Sequence, residues 1–494
     1  MTNINFYDFI SLIGKKVWGF NPNRDVKPVH FANGLYRSVC GGHNNIQLIQ
    51  TAAAGYIKGG SKVSNKQFLS DMRNAYSVDE EEKHDLLDKV GNLRSALDLL
   101  LTQDKGLYAN FDSSATLSHF LLTSNDPSDR GTGNFLTQIL SNSEDKSIIT
   151  TLRETLIDER DNVYLLASPL LERKELGTEP FISNTIAEIM KKSPHLYKIQ
   201  EAFLNLNKYR GKLEKTVYLQ RIVTLGCFAI FLHLTNRTIN IENIEEVEFS
   251  PIFLASSDPT REIREVSRAS FARGRQKIEI GYEEGLKDEI EKRWGTDLSK
   301  EEYIEIIKEL LPGIDLTSEE INQDTQIWYR FIEDFEGNIM GTSNVTDAFT
   351  KAFVRTAFSF YNKSNSNKSN PESVNAFIGR NIGLVYPREG GPGDKYYLPG
   401  PRFLDTLVVS LLDPTEEISI DEFWDRAWKK FGIVTGARGT KDIQRLLNWG
   451  IRQVSPKQAS QNAKIITSEL SRMGYVTEYA DDIAMIRGGG VTNE

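Results

Sequence analysis

The stretch from Ser455 to Arg487 constrains the fold of this chain more than any other, because it predicts a helix followed directly by a tight hairpin. Ser455 suits a helix N-cap, and Pro456 suits the first helical position, where no backbone N–H is needed. Gly474 can end the helix in the left-handed conformation. The apolar residues between them recur at helical spacing: Ala459, Ala463, Ile466, Leu470 and Met473.

The residues after this helix predict a hairpin at the end of a small α+β unit. Tyr475–Ala480 and Ile483–Arg487 have the composition of strands, and Asp481-Asp482 suits a two-residue turn between them. Three further helices are predicted just upstream, at Phe403–Leu412, Ile420–Phe431 and Lys441–Trp449. A helix that leads into a short hairpin, with other helices before it, is the outline of a winged helix-turn-helix.

The rest of the chain predicts a mainly α protein of several domains. Its 494 residues exceed the usual size of one domain. Helical periodicity dominates the first half, and Val247–Ala255 and Lys277–Tyr282 resemble strands. The predicted order is a multi-helix N-terminal body (1–240), an α+β or helical middle region (241–361), a linker rich in Asn, Ser and Lys (362–373), and an α+β C-terminal domain of winged-helix type (374–494).

The apolar run Ile222–Leu234 is too short to span a membrane, which needs ~20 residues. We predict a helix buried in a large core, with His233 as a hydrogen-bonded core histidine. The first twenty residues lack the pattern of a signal peptide. Two cysteines exclude a disulfide framework and favour a reducing cytoplasm. We therefore predict a cytoplasmic protein that does not contact a membrane.

Charge is distributed unevenly along the chain. The formal net charge is −9, which argues against nonspecific coating of nucleic acid by the whole surface. From Arg426 to Met473, however, ten basic residues face two acidic ones, so this segment carries +8 and the remainder of the chain −17. The preceding stretch, Thr406–Asp425, has six acidic residues and no basic one. This switch predicts one basic surface on an acidic body.

The basic segment and the hairpin together predict contact with duplex DNA. In a helix-turn-helix, the polar face of the recognition helix enters the major groove. The primary candidates are Lys457, Gln461 and Lys464, with Gln458 and Asn462 beside them, since amides can pair with adenine and lysines with phosphate or guanine. Backbone contacts are predicted for Arg438, Lys441 and Arg445. The hairpin carries Glu478, Asp481 and Asp482, which would repel phosphates, so we expect no wing-in-groove contact.

A second basic run lies at residues 261–277. Arg261, Arg264 and Arg268 share one helix face, and Glu262 and Glu265 dilute their charge. We interpret this run first as an intramolecular salt-bridge face, and second as an accessory contact for nucleic acid or a subunit.

Enzymatic motifs are weak in this sequence. The His84-Asp85 pair resembles part of a metal-dependent phosphohydrolase site, but five other acidic residues around it are typical of a solvated helix face. Cys40 and His43 lack the further ligands of a zinc site. Residues 161–174 mimic a nuclease motif only loosely, and there is no P-loop. We therefore predict no catalytic residue, metal or cofactor.

The leading hypothesis is a non-enzymatic DNA-binding subunit of a larger bacterial-type cytoplasmic assembly, whose helical body contacts other protein subunits. Two alternatives stay open. One is a scaffold whose basic C-terminal surface docks an acidic protein partner. The other is a metal-dependent phosphohydrolase or nuclease centred on the helical body.

Overall fold

The computed structural model describes residues 4–22, 26–41, 119–120, 129–158, 160, 184–236, 249–317, 321–341, 344–363, 373–387, 392–452, 454–479 and 484–489. Within these ranges the protein is mainly helical, as predicted. The helices are α1 Phe6–Trp18, α2 Pro28–Val39, α3 Thr132–Ser141, α4 Ser147–Leu156, α5 Asn184–Lys191, α6 His195–Asn207, α7 Lys215–Asn236, α8 Arg261–Trp294, α9 Lys300–Leu310, α10 Gln323–Gly341, α11 Val345–Lys363, α12 Val374–Asn381, α13 Pro401–Leu411, α14 Ile420–Phe431, α15 Thr440–Asn448 and α16 Pro456–Arg472.

The strands in these ranges are all short and form three small sheets. They are β1 Ile252–Phe253, β2 Val385–Tyr386, β3 Tyr396–Tyr397, β4 Glu417–Ser419, β5 Ile433–Val434, β6 Val476–Glu478 and β7 Ala484–Arg487. β1 pairs with β5 in parallel, β2 pairs with β3 in an antiparallel hairpin, and β4, β7 and β6 form an antiparallel sheet in that order.

Helix α7 forms the centre of the core. It packs against α2, α6, α8, α12 and α13, so neighbours surround it on all sides. Among the described residues it is the one helix whose length and apolar composition would allow it to cross a membrane, and 83% of its most apolar window is buried inside the protein. The prediction of a buried core helix is confirmed.

His233 lies in this core with hydrogen-bonded partners, as predicted. Its Nε2 is 3.2 Å from the carbonyl oxygen of Trp18, and its Nδ1 is 3.1 Å from Nε2 of His195. Both histidines are fully buried. Because a carbonyl can only accept, His233 carries its proton on Nε2 and accepts at Nδ1 the N–H of His195.

The predicted strand at Lys277–Tyr282 is wrong, because these residues belong to the 34-residue helix α8. Ile278 and Tyr282 are both buried one helical turn apart, which places them on a single helix face. Glycines interrupt the apolar pattern for a packing reason. A Cβ at Gly281 would lie 2.8 Å from the Trp18 ring, so the glycine lets α1 approach closely.

The C-terminal region is joined to the rest of the protein by backbone pairing and by a shared core. The strand predicted at Val247–Ala255 is observed as β1, and its partner β5 lies about 180 residues later, in the C-terminal region. One hydrophobic cluster runs from Phe6 in α1 to Ile486 in β7. The core is thus continuous across the predicted linker, most of which (364–372) lies outside the described residues. The division into domains stays a prediction.

Candidate nucleic-acid interface

Helix α16 presents two opposite faces. Ala459, Ala463, Ile466 and Leu470 are buried, whereas Lys457, Gln461 and Lys464 are exposed. The helix begins with Pro456 at its first position, and the Ser455 amide donates to the Glu262 carboxylate of α8 at 3.0 Å. Gly474 then adopts the predicted left-handed conformation, with φ of 81°. The sequence therefore predicted the helix, its apolar face and the exposure of Lys457, Gln461 and Lys464 correctly.

Asn462 lies on the buried face of α16 and is therefore not part of the candidate DNA-binding surface. Its side chain is 2% exposed and joins three segments of backbone. The Oδ1 atom accepts the Ser256 amide at 2.8 Å, and Nδ2 donates to the carbonyls of Leu254 at 2.8 Å and Thr435 at 2.9 Å. We call this set of contacts the Asn462 clamp. It fixes α16 to β1 and β5 and is not available to DNA.

Arg445, predicted as a backbone contact, is engaged inside the protein. Its guanidinium pairs with Asp425 at 3.0 Å and Asp442 at 2.9 Å, and lies over the Trp428 ring at 4.6 Å. Only 13% of the side chain is exposed. Withdrawing the Arg445 guanidinium from these two carboxylates would cost more free energy than one phosphate contact would regain. Arg445 is therefore a structural residue.

The turn before α15 positions the remaining predicted residues. Asp442 accepts the amides of Gly436 at 3.0 Å and Arg438 at 3.2 Å. Gly436 has φ of 92°, and a Cβ there would lie 2.5 Å from the Ala459 carbonyl, so the turn packs directly on α16. Arg438 donates to the Asp421 carbonyl at 3.1 Å, and Lys441 is exposed at the start of α15. Lys441 therefore lies at the start of α15, directly after a turn that packs against α16.

The folded chain divides the ten basic residues of 426–473 into two groups. Five form ion pairs, at 2.7 to 3.3 Å: Arg426 with Glu416 and Glu422, Lys429 with Asp425, Lys430 with Glu201, Arg445 with Asp425 and Asp442, and Arg452 with Glu265. The acidic stretch before this segment thus neutralises much of it. The other five form no ion pair within the described part of the chain: Arg438, which donates to the Asp421 carbonyl, and Lys441, Lys457, Lys464 and Arg472. The unneutralised basic surface is smaller than the sequence predicted.

Gln458 sits at the edge of this surface. It is half-buried, and its Oε1 atom is buried without a hydrogen-bond partner in the described ranges. Lys457, Gln461 and Lys464 are fully outward-facing neighbours on the same helix. We call Lys441, Lys457, Gln461 and Lys464 the α16 surface.

Several members of the second basic run make contacts within the protein, and one of them, Arg261, forms an ion pair of the kind that its first interpretation proposed. Arg261 and Arg452 both pair with Glu265, at 2.9 and 3.1 Å. The Arg264 guanidinium lies 5.9 Å from the centre of the Tyr396 ring. The run contributes to the junction between α8 and the C-terminal region.

The hairpin offers little to an anionic partner. Glu478 is exposed, and Arg487 pairs with Glu417 at 3.0 Å across the sheet. Asp481 and Asp482, at the predicted turn, lie outside the described residues. The weighed metal candidates His43, His84, Asp85 and Asp161 also lie outside them. In the ranges that the structure describes, no three His, Cys, Asp or Glu side chains are grouped to hold a metal ion.

Comparisons with known proteins returned no similarity on which a family could be based. No protein-family model matches the chain, and neither the curated proteins nor the solved structures contain a match.

Proposed function

We propose that this protein is a non-enzymatic, DNA-binding subunit of a larger cytoplasmic assembly, and that it contacts duplex DNA through the α16 surface. The observation that carries the proposal is the selective exposure of this surface. Lys441, Lys457 and Lys464 have no ion-pair partner in the described ranges, whereas five neighbouring cations are neutralised internally. A fold that neutralises half of the ten cations of this segment and leaves these three exposed, on α16 and at the start of α15, favours an anionic partner.

The arrangement of elements supports a winged-helix assignment for the C-terminal region. β4 precedes the helices α14, α15 and α16, and the β6–β7 hairpin follows them. β7 lies between β4 and β6, so the strand before the helices closes the sheet with the hairpin after them. α16, which leads directly into β6, then takes the place of the recognition helix. The additional helix α15 departs from the simplest form of this arrangement.

The chemistry of the α16 surface suits both parts of DNA recognition. Lys457 and Lys464 are seven residues apart, about 10 Å along the helix axis, and can neutralise phosphates or contact guanine. Gln461 lies between them and can pair bidentately with adenine. Lys441 adds a cation from the start of α15. Most of the affinity is then electrostatic and falls steeply with salt.

A titration of the full chain against a labelled linear duplex at several salt concentrations tests the proposal. The variant is Lys457→Glu/Lys464→Glu. The matched control is Lys191→Glu/Lys292→Glu, which makes the same change in net charge at exposed lysines on α5 and near the end of α8. We expect the variant to weaken binding by about 10- to 100-fold and to reduce the salt slope by about 2. Equal losses in variant and control, or no binding at low salt, would contradict the proposal.

The scaffold alternative is supported by a separate surface. On α10, Tyr329 is 51% and Met340 88% exposed, which is unusual for large apolar side chains. Such residues favour contact with another protein subunit. If the chain is only a scaffold, it binds partners without salt-dependent affinity for DNA. A metal-dependent hydrolase would instead carry near-stoichiometric metal after purification, which elemental analysis measures.

A further inference from the structure

A groove of about 710 Å³ lies beside the C-terminal end of α16. Its walls come from α16, from the end of α12, from the β2–β3 hairpin and from the start of α13. The volume falls within the range of small-molecule sites, about 300 to 1,000 Å³. The groove shares the helix of the α16 surface, because Arg472, the last residue of α16, belongs to the groove wall.

Three guanidinium groups from three separate helices line this groove. Arg380 belongs to α12, Arg402 to α13 and Arg472 to α16, and Glu469 is the one carboxylate among the lining residues. Arg380 also stacks over the Phe377 ring, at 4.9 Å from its centre, which restricts its position. Guanidinium groups bind phosphate oxygens bidentately, so their convergence on one cavity favours a phosphate-bearing ligand.

Another part of the groove lining is aromatic and apolar. Tyr386 is 47% exposed, and its ring is held 5.6 Å from Tyr396 in an edge-to-face arrangement. Ile382, Leu398 and Met473 add apolar surface beside it. A fixed, exposed aromatic ring next to apolar side chains suits the flat face of a heterocyclic base.

We propose that this groove binds a single nucleotide, with its base against Tyr386 and its phosphate at Arg380, Arg402 and Arg472. Phosphate and aromatic base together match the two walls, whereas an inorganic anion would leave the apolar wall unused. Glu469 can accept a hydrogen bond from a sugar hydroxyl or a base amino group. Two sources provide a ligand with both a phosphate and a base: a free nucleotide and the 5′-phosphorylated end of a DNA strand.

The second source, a 5′-phosphorylated strand end, rests on the proposed DNA-binding function, because the α16 surface would hold the duplex whose end enters the groove. Lys457 and Arg472 are fifteen residues apart, about 22 Å along the helix. A duplex bound at Lys457 and Lys464 could therefore place its end in the groove. The free-nucleotide source is independent of that function.

The test measures binding of AMP and GMP to the full chain by calorimetry, with inorganic phosphate, adenosine and a phosphotyrosine peptide as competitors. A second arm compares short duplexes that carry a 5′-phosphate or a 5′-hydroxyl. We expect AMP or GMP to bind more tightly than phosphate or adenosine. Tyr386→Ala and Arg472→Glu should each weaken binding by about tenfold or more, Tyr386→Phe should restore it, and Lys292→Glu should match the wild type.

The outcomes separate the two proposals. A closed circular duplex has no ends, so its binding reports the α16 surface alone. If the circle binds but no nucleotide and no 5′-phosphate preference is found, the groove proposal fails and the proposed function stands. If AMP binds and the circle does not, the groove proposal stands and the proposed function fails. Phosphate or a phosphotyrosine peptide binding as tightly as AMP would overturn the assignment of a nucleotide.

Discussion

Gln461 and Asn462 are adjacent amides on α16 with opposite surroundings. Gln461 faces solvent, whereas Asn462 forms the clamp to Leu254, Ser256 and Thr435. The amide of Asn462 replaces water for three backbone groups that would otherwise be buried unpaired. Such groups are costly when they lose their partner.

Asn462→Ala is expected to lower the free energy of unfolding by about 2 to 4 kcal/mol, because three buried backbone groups lose their partners. Gln461→Ala should stay within about 0.5 kcal/mol of the wild type, since its side chain is solvated. Urea denaturation of both variants measures the difference. Under the proposed function, Gln461→Ala should lower DNA affinity although it leaves stability nearly unchanged. Equal stability of the two variants would contradict the role of the clamp.

His195 gives the core a defined response to acid. Burial lowers its pKa from 6.5 to about 3, because the charged ring cannot be solvated there. It donates through Nε2 to His233, and its Nδ1 has no hydrogen-bond partner in the described residues. The ring is therefore neutral in the folded protein and protonated in the unfolded chain below about pH 6.5.

The sign of the resulting pH dependence follows from this depressed pKa. The contribution of His195 to stability is fully present above pH 6.5 and declines as pH falls towards 3, at about 1.4 kcal/mol per pH unit. His195→Gln keeps a donor for His233 but does not titrate. We expect the stability difference between the wild type and this variant to shrink by that amount per unit below pH 6.5, in urea titrations at a series of pH values. A constant difference would show that His195 does not titrate in this way.

At the scale of elements, α14 and α15 are held together by a partly buried carboxylate, that of Asp425. Asp425 accepts from Lys429 at 2.8 Å and from Arg445 at 3.0 Å. Burial alone would raise the pKa of Asp425, but these hydrogen bonds outweigh it and lower the pKa to about 2. The contribution of the Asp425 pair to stability is thus present above about pH 4 and is lost as pH falls to 2.

Asp425→Asn should lower the free energy of unfolding at neutral pH by about 2 to 3 kcal/mol, because Arg445 keeps only one of its two carboxylates. Asp421→Asn is the control, since its carboxylate is exposed at the start of the same helix. The loss in Asp425→Asn should disappear between pH 4 and 2. Chemical denaturation at several pH values measures it, and a loss that persists at pH 2 would contradict the assignment.

Elements were predictable where their signals are local. The helix at Ile420–Phe431 was predicted with its observed bounds, and its N-cap Ser419 accepts the backbone amide of Glu422. α8 was partly misread because the glycines that admit α1 break its apolar pattern. The basic surface was overestimated because charge along the sequence does not show which cations form ion pairs. Arg426, Lys429 and Arg445 pair mainly with the acidic stretch just upstream. Lys430 and Arg452 pair with Glu201 and Glu265, which are far away in the sequence.

At the scale of the whole molecule, the C-terminal region depends on the helical body. Arg221 of α7 forms a bidentate pair with Asp405 of α13, at 2.6 and 2.7 Å, and the Tyr475 hydroxyl donates to the same carboxylate. β5 has β1 as its partner, and the Asn462 clamp ends on residues next to β1. These groups are satisfied only when both parts of the chain are present.

Residues 374–494 expressed alone are therefore expected not to fold to a stable state. The fragment loses the partners of β5, Asn462 and Asp405 and exposes the apolar faces of α12 and α13. Amide proton dispersion in NMR spectra and hydrogen exchange measure its order. Adding residues 215–294, which carry α7, β1 and α8, should improve both. A stable, cooperatively unfolding fragment would contradict this dependence.

Helix α8 sets a distance between two parts of the molecule. Glu262, near its start, holds the beginning of α16, and Lys287, near its end, pairs with Asp347 at 3.8 Å, where α11 and its neighbour α10 pack. These positions are 25 residues apart, about 38 Å along one continuous helix. That length is close to one turn of B-form DNA, about 34 to 36 Å. Under the proposed function, a protein subunit docked on α10 would be held at about the length of ten base pairs from the part of the duplex that α16 contacts, and α8 would fix that spacing.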